Sequence, residues 1–210
     1  MSELVPTVFL VDDDTAVLKG LGRLLATAGM KVAAFDSPKE FLEGFDPTLP
    51  GCLVLDVAMP GLNGLELQQA LAAKGSELPI VFLTGHGDIP TSVQAMKRGA
   101  ADFLTKPVDD EELLAAIRSA FDRNLAVRKS HEARAMIERR LATLTPRERE
   151  VLERVVTGRL NKQIAAELGT VEKTIKVHRA HVMEKMGART LAELLSLAER
   201  AGIKIGSSQT

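Results

Sequence analysis

Three aspartates stand side by side at positions 12–14, in the stretch "TVFLVDDDTAVL", where an apolar run gives way to helical spacing. Carboxylates this close repel and raise one another's pKa unless a cation compensates. A fourth, Asp56, closes the run "GCLVLD"; Thr84 closes "PIVFLT", and Lys106 follows "ADFLT". Clustered carboxylates with one hydroxyl and one ammonium suit a divalent cation beside a phosphoryl group. Mg²⁺ takes oxygen ligands, keeps several waters and typically bridges one or two carboxylates to a phosphate. Phosphoryl transfer in turn depends mostly on positioning and charge neutralisation. One polar residue at the end of a buried strand is ordinarily the start of a loop. Four at four corresponding ends, acids beside a lysine, are not explained that way.

The elements that must bring these residues together are readable as alternating patterns. Strands are expected at 7–11, 31–35, 51–56, 79–84 and 101–105, with helical periodicity around 15–28, 38–44, 63–73, 90–98 and from 109 onward. Strands apolar on both faces, separated by helices, predict an α/β fold: a doubly wound, five-stranded parallel sheet covered by helices. In such folds ligands gather at the carboxyl ends of the strands, near the point where strand order reverses. With order 2-1-3-4-5, the first and third strands are neighbours and the four chemical groups share one edge. Asp14 is expected to cap the first helix.

The chain has 210 residues, a net charge of -1 and a single cysteine. Its length allows two ordinary domains. Residues 1–122 hold nine Lys and Arg against eighteen Asp and Glu, whereas 123–210 hold eighteen against ten. An acidic half joined to a basic half implies different partners, with nucleic acid a candidate for the basic one. No apolar run is long enough to span a bilayer, and no signal segment opens the chain. Cys52 reads as a small buried thiol, and the whole as a cytoplasmic protein.

Beyond the expected sheet, residues 121–144 read as a charged helix whose Ile137, Leu141 and Leu144 form a short apolar stripe, either connector or weak dimer contact. Four helices follow. "TPRE" places Thr145 as N-cap, Pro146 at the first helical position and Glu148 as reciprocal cap, while "TLAE" caps the last helix. In "NKQIAAELGTVEKTIKVHRAHVMEKMG" a helix, a tight turn at Gly169 and a second helix are expected. Val171, Ile175, Val182 and Met186 make one buried face of the second helix, and Lys173, Lys176, Val177 and Ala180 the other. A Lys/Val face with a small Ala suits a major groove: lysine reaches guanine edges or phosphates, and Val touches a thymine methyl.

Residues 1–122 resemble the receiver domain of bacterial response regulators, a flavodoxin-like fold. The resemblance implies that Asp56 accepts a phosphoryl group from a sensor histidine kinase. It further implies that Asp13 and Asp56 bind Mg²⁺ with help from Asp12 and the backbone carbonyl of Ala58. Thr84 and Lys106 would hold the phosphoryl oxygens, Lys106–Pro107 would be cis, and Phe103 would be an aromatic switch that turns inward with Thr84. Residues 145–210 resemble the LuxR-type helix-turn-helix through "LTPRE", "NKQIAAEL" and "KTIKVH". By that resemblance Lys176 and Val177 read bases, while Lys173, His178 and Arg179 contact phosphates or support the helix.

The whole is similar to response regulators of the FixJ/NarL type, nearest the FixJ branch through "GHGDIP". The expected organisation is a receiver over 1–122, a helical linker over 123–144 and a DNA-binding domain over 145–210. The implied partners are a sensor kinase, promoter DNA, RNA polymerase and, on phosphorylation, a second copy of the chain. The dimer would form through a face bearing Met96, Ala100 and Ala101 beside Lys97, Arg98 and Asp102. The implied role is that of a transcriptional activator rather than an enzyme. Thr170 and Val171 replace an Ile-Ser pair usual in the family and disturb the cap of the second helix. Ala58 stands where relatives often carry a longer side chain, and with His86 leaves the dephosphorylation rate open.

One rival belongs to another class. A haloacid-dehalogenase-like phosphatase would use Asp12 as nucleophile with Asp14, Thr84, Lys106 and the pair Asp109–Asp110. It fails at Ala16, where Thr or Val is required, and it leaves Asp56 and the basic half without a role.

Overall fold

The computed structural model describes residues 5–85 and 89–203, so His86 lies outside the described residues. The chain divides into two compact units, residues 1–128 and 129–210.

In the first unit five strands form one parallel sheet in the order β2-β1-β3-β4-β5. They are β1 (Thr7–Val11), β2 (Lys31–Phe35), β3 (Gly51–Asp56), β4 (Ile80–Thr84) and β5 (Asp102–Thr105). Helices α1 (Thr15–Thr27), α2 (Pro38–Gly44), α3 (Gly64–Ala73) and α4 (Ile89–Lys97) connect them, and α5 (Asp110–Ala142) follows. Every residue of β1, β3 and β4 is buried, which is why these strands are continuous apolar runs rather than alternating ones. Alternation survives in which side each residue serves. Phe9, Val11, Leu53, Leu55, Ile80 and Phe82 pack with α2 and α3, through Phe41, Leu67 and Leu71. Val8, Leu10, Cys52, Val54, Val81 and Leu83 pack with α1 and α5, through Leu25, Leu113 and Ile117. Burial pushes the Cys52 thiol up to about 12, leaving it an inert core atom.

The charged helix expected over 121–144 is the continuation of α5, one helix of 33 residues. Asp110, Glu111 and Glu112 open it and Arg139 and Arg140 close it, matching the sign of the helix dipole at both ends. Asn124 accepts a hydrogen bond from the Gly51 N–H at 3.1 Å. Arg128 donates to the carbonyls of Pro47, Thr48 and Leu49 at 2.8, 2.8 and 2.6 Å. These bonds hold the middle of α5 to the segment leading into β3.

Among the described residues the second unit is built of helices: α6 (Pro146–Val156), α7 (Asn161–Glu167), α8 (Glu172–Met186) and α9 (Leu191–Arg200). Its core joins Val151, Leu152, Ile164, Ile175, Val182, Met186 and Leu194 to Ile137 and Leu141 of α5, with Leu144 packed against them. The stripe that the sequence leaves open between connector and dimer contact is therefore core of this unit.

Candidate functional site

Parallel pairing of β1 with β3 sets Val11 beside Leu55, so the next residues, Asp12 and Asp56, meet at the sheet edge. Both are buried, at 3% and 5% exposure. The Lys106 ammonium stands 2.6 Å from Asp12 Oδ2 and 2.6 Å from Asp56 Oδ1. Burial alone would lower the Lys106 pKa, but hydrogen bonds to Asp12 and Asp56 outweigh it and hold the group above its ordinary value. Lys106 is charged at neutral pH and bridges the two acids. Its own N–H donates to the Thr84 carbonyl at 2.7 Å, and its peptide bond to Pro107 is cis.

The remaining oxygens are held by backbone. Asp56 Oδ2 accepts from the Ala58 N–H at 2.7 Å, and Asp12 Oδ1 from the Asp14 N–H at 2.9 Å. Asp14 caps α1, its Oδ1 accepting from the Ala16 N–H at 2.8 Å. Thr84 is buried at the end of β4, one residue beyond the partner of Asp56 in the register. Gly64 lets the start of α3 press on this edge, since a Cβ there would stand 2.4 Å from the Asp56 carbonyl oxygen.

Asp13 and Ala58 lie exposed at the rim. Among the described residues no three His, Cys, Asp or Glu side chains draw close enough to form a metal cage. The donors that do converge are hard oxygens, with carboxylates in surplus over the single ammonium. That is the donor set of Mg²⁺, which needs only one or two carboxylates and completes its shell with carbonyl and water oxygens. The Ala58 N–H is a contact the sequence hid, because it is a backbone donor with no side-chain signature.

Phe103 is half-buried, with its ring centroid 6.1 Å from that of Phe82. It already packs partly inward, so any turn is smaller than an outward-to-inward swing. The expected dimer face also needs correction: Ala100 is buried at 4% exposure, since it follows the last turn of α4 into the core. Met96 is exposed as expected, and the exposed apolar residues that join it on α4 are Ile89 and Val93, at helical spacing.

In the helical unit, α7 and α8 are joined through Gly169 at φ +61. Ile175, Val182 and Met186 are fully buried. Val171 is not part of that face: it is the N-cap of α8, 65% exposed, with no side-chain capping bond. The N-cap sits outside the helical period, so its side chain does not follow the stripe. Lys173, Lys176, Val177 and Ala180 are exposed. His178 and Arg179 are half-buried, and Arg179 donates to Asn161 Oδ1 at 3.2 Å, tying α8 to α7. Asn161 escaped the sequence reading because its only signal was its place at the start of α7.

Glu148 is buried beneath α8. It closes the capping box with Thr145 and accepts from Lys185 Nζ at 2.6 Å. The Lys185 hydrogen bond first, and the Thr145 N–H second, lower its carboxyl to about 2.

Residues 8–118 match the family profile of the response regulator receiver domain, and residues 142–198 that of the bacterial regulatory proteins of the luxR family. The transcriptional regulatory protein FixJ of Azorhizobium caulinodans is 45% identical over 97% of this chain and 96% of its own. Nodulation protein W of Bradyrhizobium diazoefficiens is 46% identical over 96% and 89%. The solved response regulator StyR is 48% identical, with a TM-score of 0.87 over 93% of this chain and 99% of that one. These likenesses overturn the phosphatase reading. The geometry gives the physical reason: Asp14, its required second acid, is engaged in capping α1, while Asp56, which it leaves idle, sits at the centre.

Proposed function

The chain belongs to the response regulators that join a receiver domain to a LuxR-type DNA-binding domain, and we propose that Asp56 is the residue through which it receives its signal. The observation that carries this reading is the single ammonium of Lys106 bridging Asp12 and Asp56 at 2.6 Å each. As a transcriptional regulator the chain needs a chemical input, and this is the place where nucleophile and charge compensation meet.

In the proposed reaction an Asp56 carboxylate oxygen attacks the phosphorus of a sensor histidine kinase's phosphohistidine. A P–O bond forms, the P–N bond breaks, and the imidazole nitrogen leaves with the electron pair. Asp12, Asp13, Asp56 and the Ala58 carbonyl would hold Mg²⁺, whose bound charge would offset that of the phosphoryl oxygens. Lys106, already charged, exchanges a carboxylate oxygen for a phosphoryl oxygen, and the Thr84 hydroxyl donates to another. Phe103 follows Thr84 through the loop that the Lys106 N–H ties to the Thr84 carbonyl.

The output we propose is promoter binding by α8. Lys176 and Val177 read bases from its exposed face and Lys173 meets phosphate. Arg179 and His178 act as supports, in keeping with their half-burial and the Arg179 bond to Asn161. Dimerisation on phosphorylation, contact with RNA polymerase as an activator, and action in the cytoplasm complete the reading. Among the described residues no helix is long and apolar enough to cross a membrane.

Acetyl phosphate with Mg²⁺ is the direct test. Asp56→Asn should abolish an acyl phosphate detected by mass spectrometry, and Asp13→Ala should weaken Mg²⁺ binding. Labelling that persists in Asp56→Asn and disappears in Asp12→Asn would overturn the assignment.

A further inference from the structure

The C-terminal end of α8 is held from outside the helix–turn–helix. Gly187 closes the helix in the left-handed region, φ +65, its N–H donating to the Glu184 and Met183 carbonyls. The last carbonyls of a helix have no partner within it. One of them, Met186, accepts a hydrogen bond at 2.8 Å from Nη1 of Arg140 in the last turn of α5. A Cβ at Gly187 would stand only 3.0 to 3.3 Å from Nη1, Cζ and Nη2 of that guanidinium. The left-handed backbone favours glycine here, and the missing Cβ leaves room for the Arg140 guanidinium. A cation at this end also complements the helix dipole. Lys185 adds a bond to the Thr143 carbonyl at 3.2 Å, and buried Ile137 and Leu141 fix the end of α5 from which Arg140 projects.

We propose that Arg140 is a positioning residue for DNA recognition: from the end of α5 it sets the C-terminal end of α8, and with it the placement of the Lys176–Val177 face. The inference rests on α8 being the DNA-reading helix, as proposed above. Near Lys176, α8 is held by Arg179 against Asn161. Arg140 acts on Met186, about 10 Å further along at a rise of ~1.5 Å per residue. Without Arg140 that end rests on Lys185 and on the buried Val182 and Met186 alone, and the helix axis tilts slightly about the Arg179 contact. Base readout depends on hydrogen-bond geometry and suffers from such a tilt, whereas attraction to phosphates tolerates it. Arg140 thereby makes the last turn of α5 a direct structural neighbour of the reading helix.

The test uses the full-length chain and a duplex selected by the wild-type chain from a randomised pool, with an unselected duplex of equal length as reference. Failure of the wild type to select any sequence would remove the premise about α8 without touching Arg140. Given selection, Arg140→Ala should lose about tenfold in affinity for the selected duplex, about 1.4 kcal/mol, and less than about twofold for the reference. Arg140→Lys, which keeps a donor for the Met186 carbonyl, should recover most of the loss. Hydrogen exchange should quicken in residues 182–188 and stay unchanged in α6. Equal loss on both duplexes with a shallower salt dependence would make Arg140 a phosphate contact and overturn the proposal. Faster exchange throughout 137–200 in both variants would reduce it to general stability and overturn it as well.

Discussion

Lys106 and Lys185 do similar work at carboxylates in different units, and the comparison separates a reactive site from a structural one. At Asp56 the ammonium is shared with Asp12, so charge compensation is incomplete and a further cation is favoured. At Glu148 compensation is ample: Lys185 and the Thr145 N–H both donate, and His181 Nδ1 lies 3.5 Å from the other oxygen. The result is a carboxyl lowered to about 2 from an ordinary 4.5. A carboxyl lowered on folding stabilises the folded state above its unfolded pKa and loses that contribution as pH falls through the folded one. Glu148→Gln should therefore destabilise the helical unit by about 1 kcal/mol at neutral pH, a figure discounted for the partial exposure of Lys185. The gap between variant and wild type should hold above about pH 5 and close as the pH nears 2. Urea denaturation across that range, followed by circular dichroism, measures it. A gap independent of pH would show that packing, not charge, makes Glu148 matter.

Element ends carry the clearest contrast between what residue types announce and what they conceal. Ser37, Asn63, Thr145 and Thr190 each cap a helix through a side-chain oxygen, whereas Val171 leaves α8 without one. Val171→Ser should supply an acceptor for a free N–H of the first turn and stabilise the unit by about 0.5–1 kcal/mol. Calorimetry should register this as a Tm higher by a few degrees, and an unchanged Tm would mean that the first turn is already satisfied. The strands were legible because buried parallel strands must be apolar runs, and the carboxylate edge because each run ends in a polar residue. Less legible was everything set by backbone or by long-range contact. Ala58 acts through its N–H, Arg128 and Arg140 bind carbonyls far along the chain, and Ala100 sits inside because α4 ends just before it. None of these leaves a local pattern in residue type. The stripe Ile137, Leu141 and Leu144 was visible as apolar, but its partner across the helical core could not be read from spacing.

At the scale of the whole chain, charge limits how phosphorylation can promote DNA binding. The modification adds about -1.5 to -2 charges to a half that already holds eighteen acids against nine bases. Its long-range effect on a polyanion is repulsive, so a gain in affinity must come from geometry or from association. Association has a surface available in Ile89, Val93 and Met96, exposed along α4 beside Lys97 and Arg98, a mixture of apolar and charged groups suited to a reversible interface. Movement of Thr84 toward a phosphoryl oxygen would shift the end of β4, the strand that precedes α4 in the chain. Two chains joined there would present two α8 helices to a two-half-site operator, where effective concentration raises affinity without new base contacts. Sedimentation with beryllofluoride and Mg²⁺ should show a monomer converting to a dimer. Val93→Glu should weaken that dimer by at least about tenfold, an apolar contact becoming a pair of facing charges, while Asp56 remains phosphorylated. An activated chain that stays monomeric yet binds the selected duplex more tightly would exclude association as the cause. The gain would then have to arise within one chain.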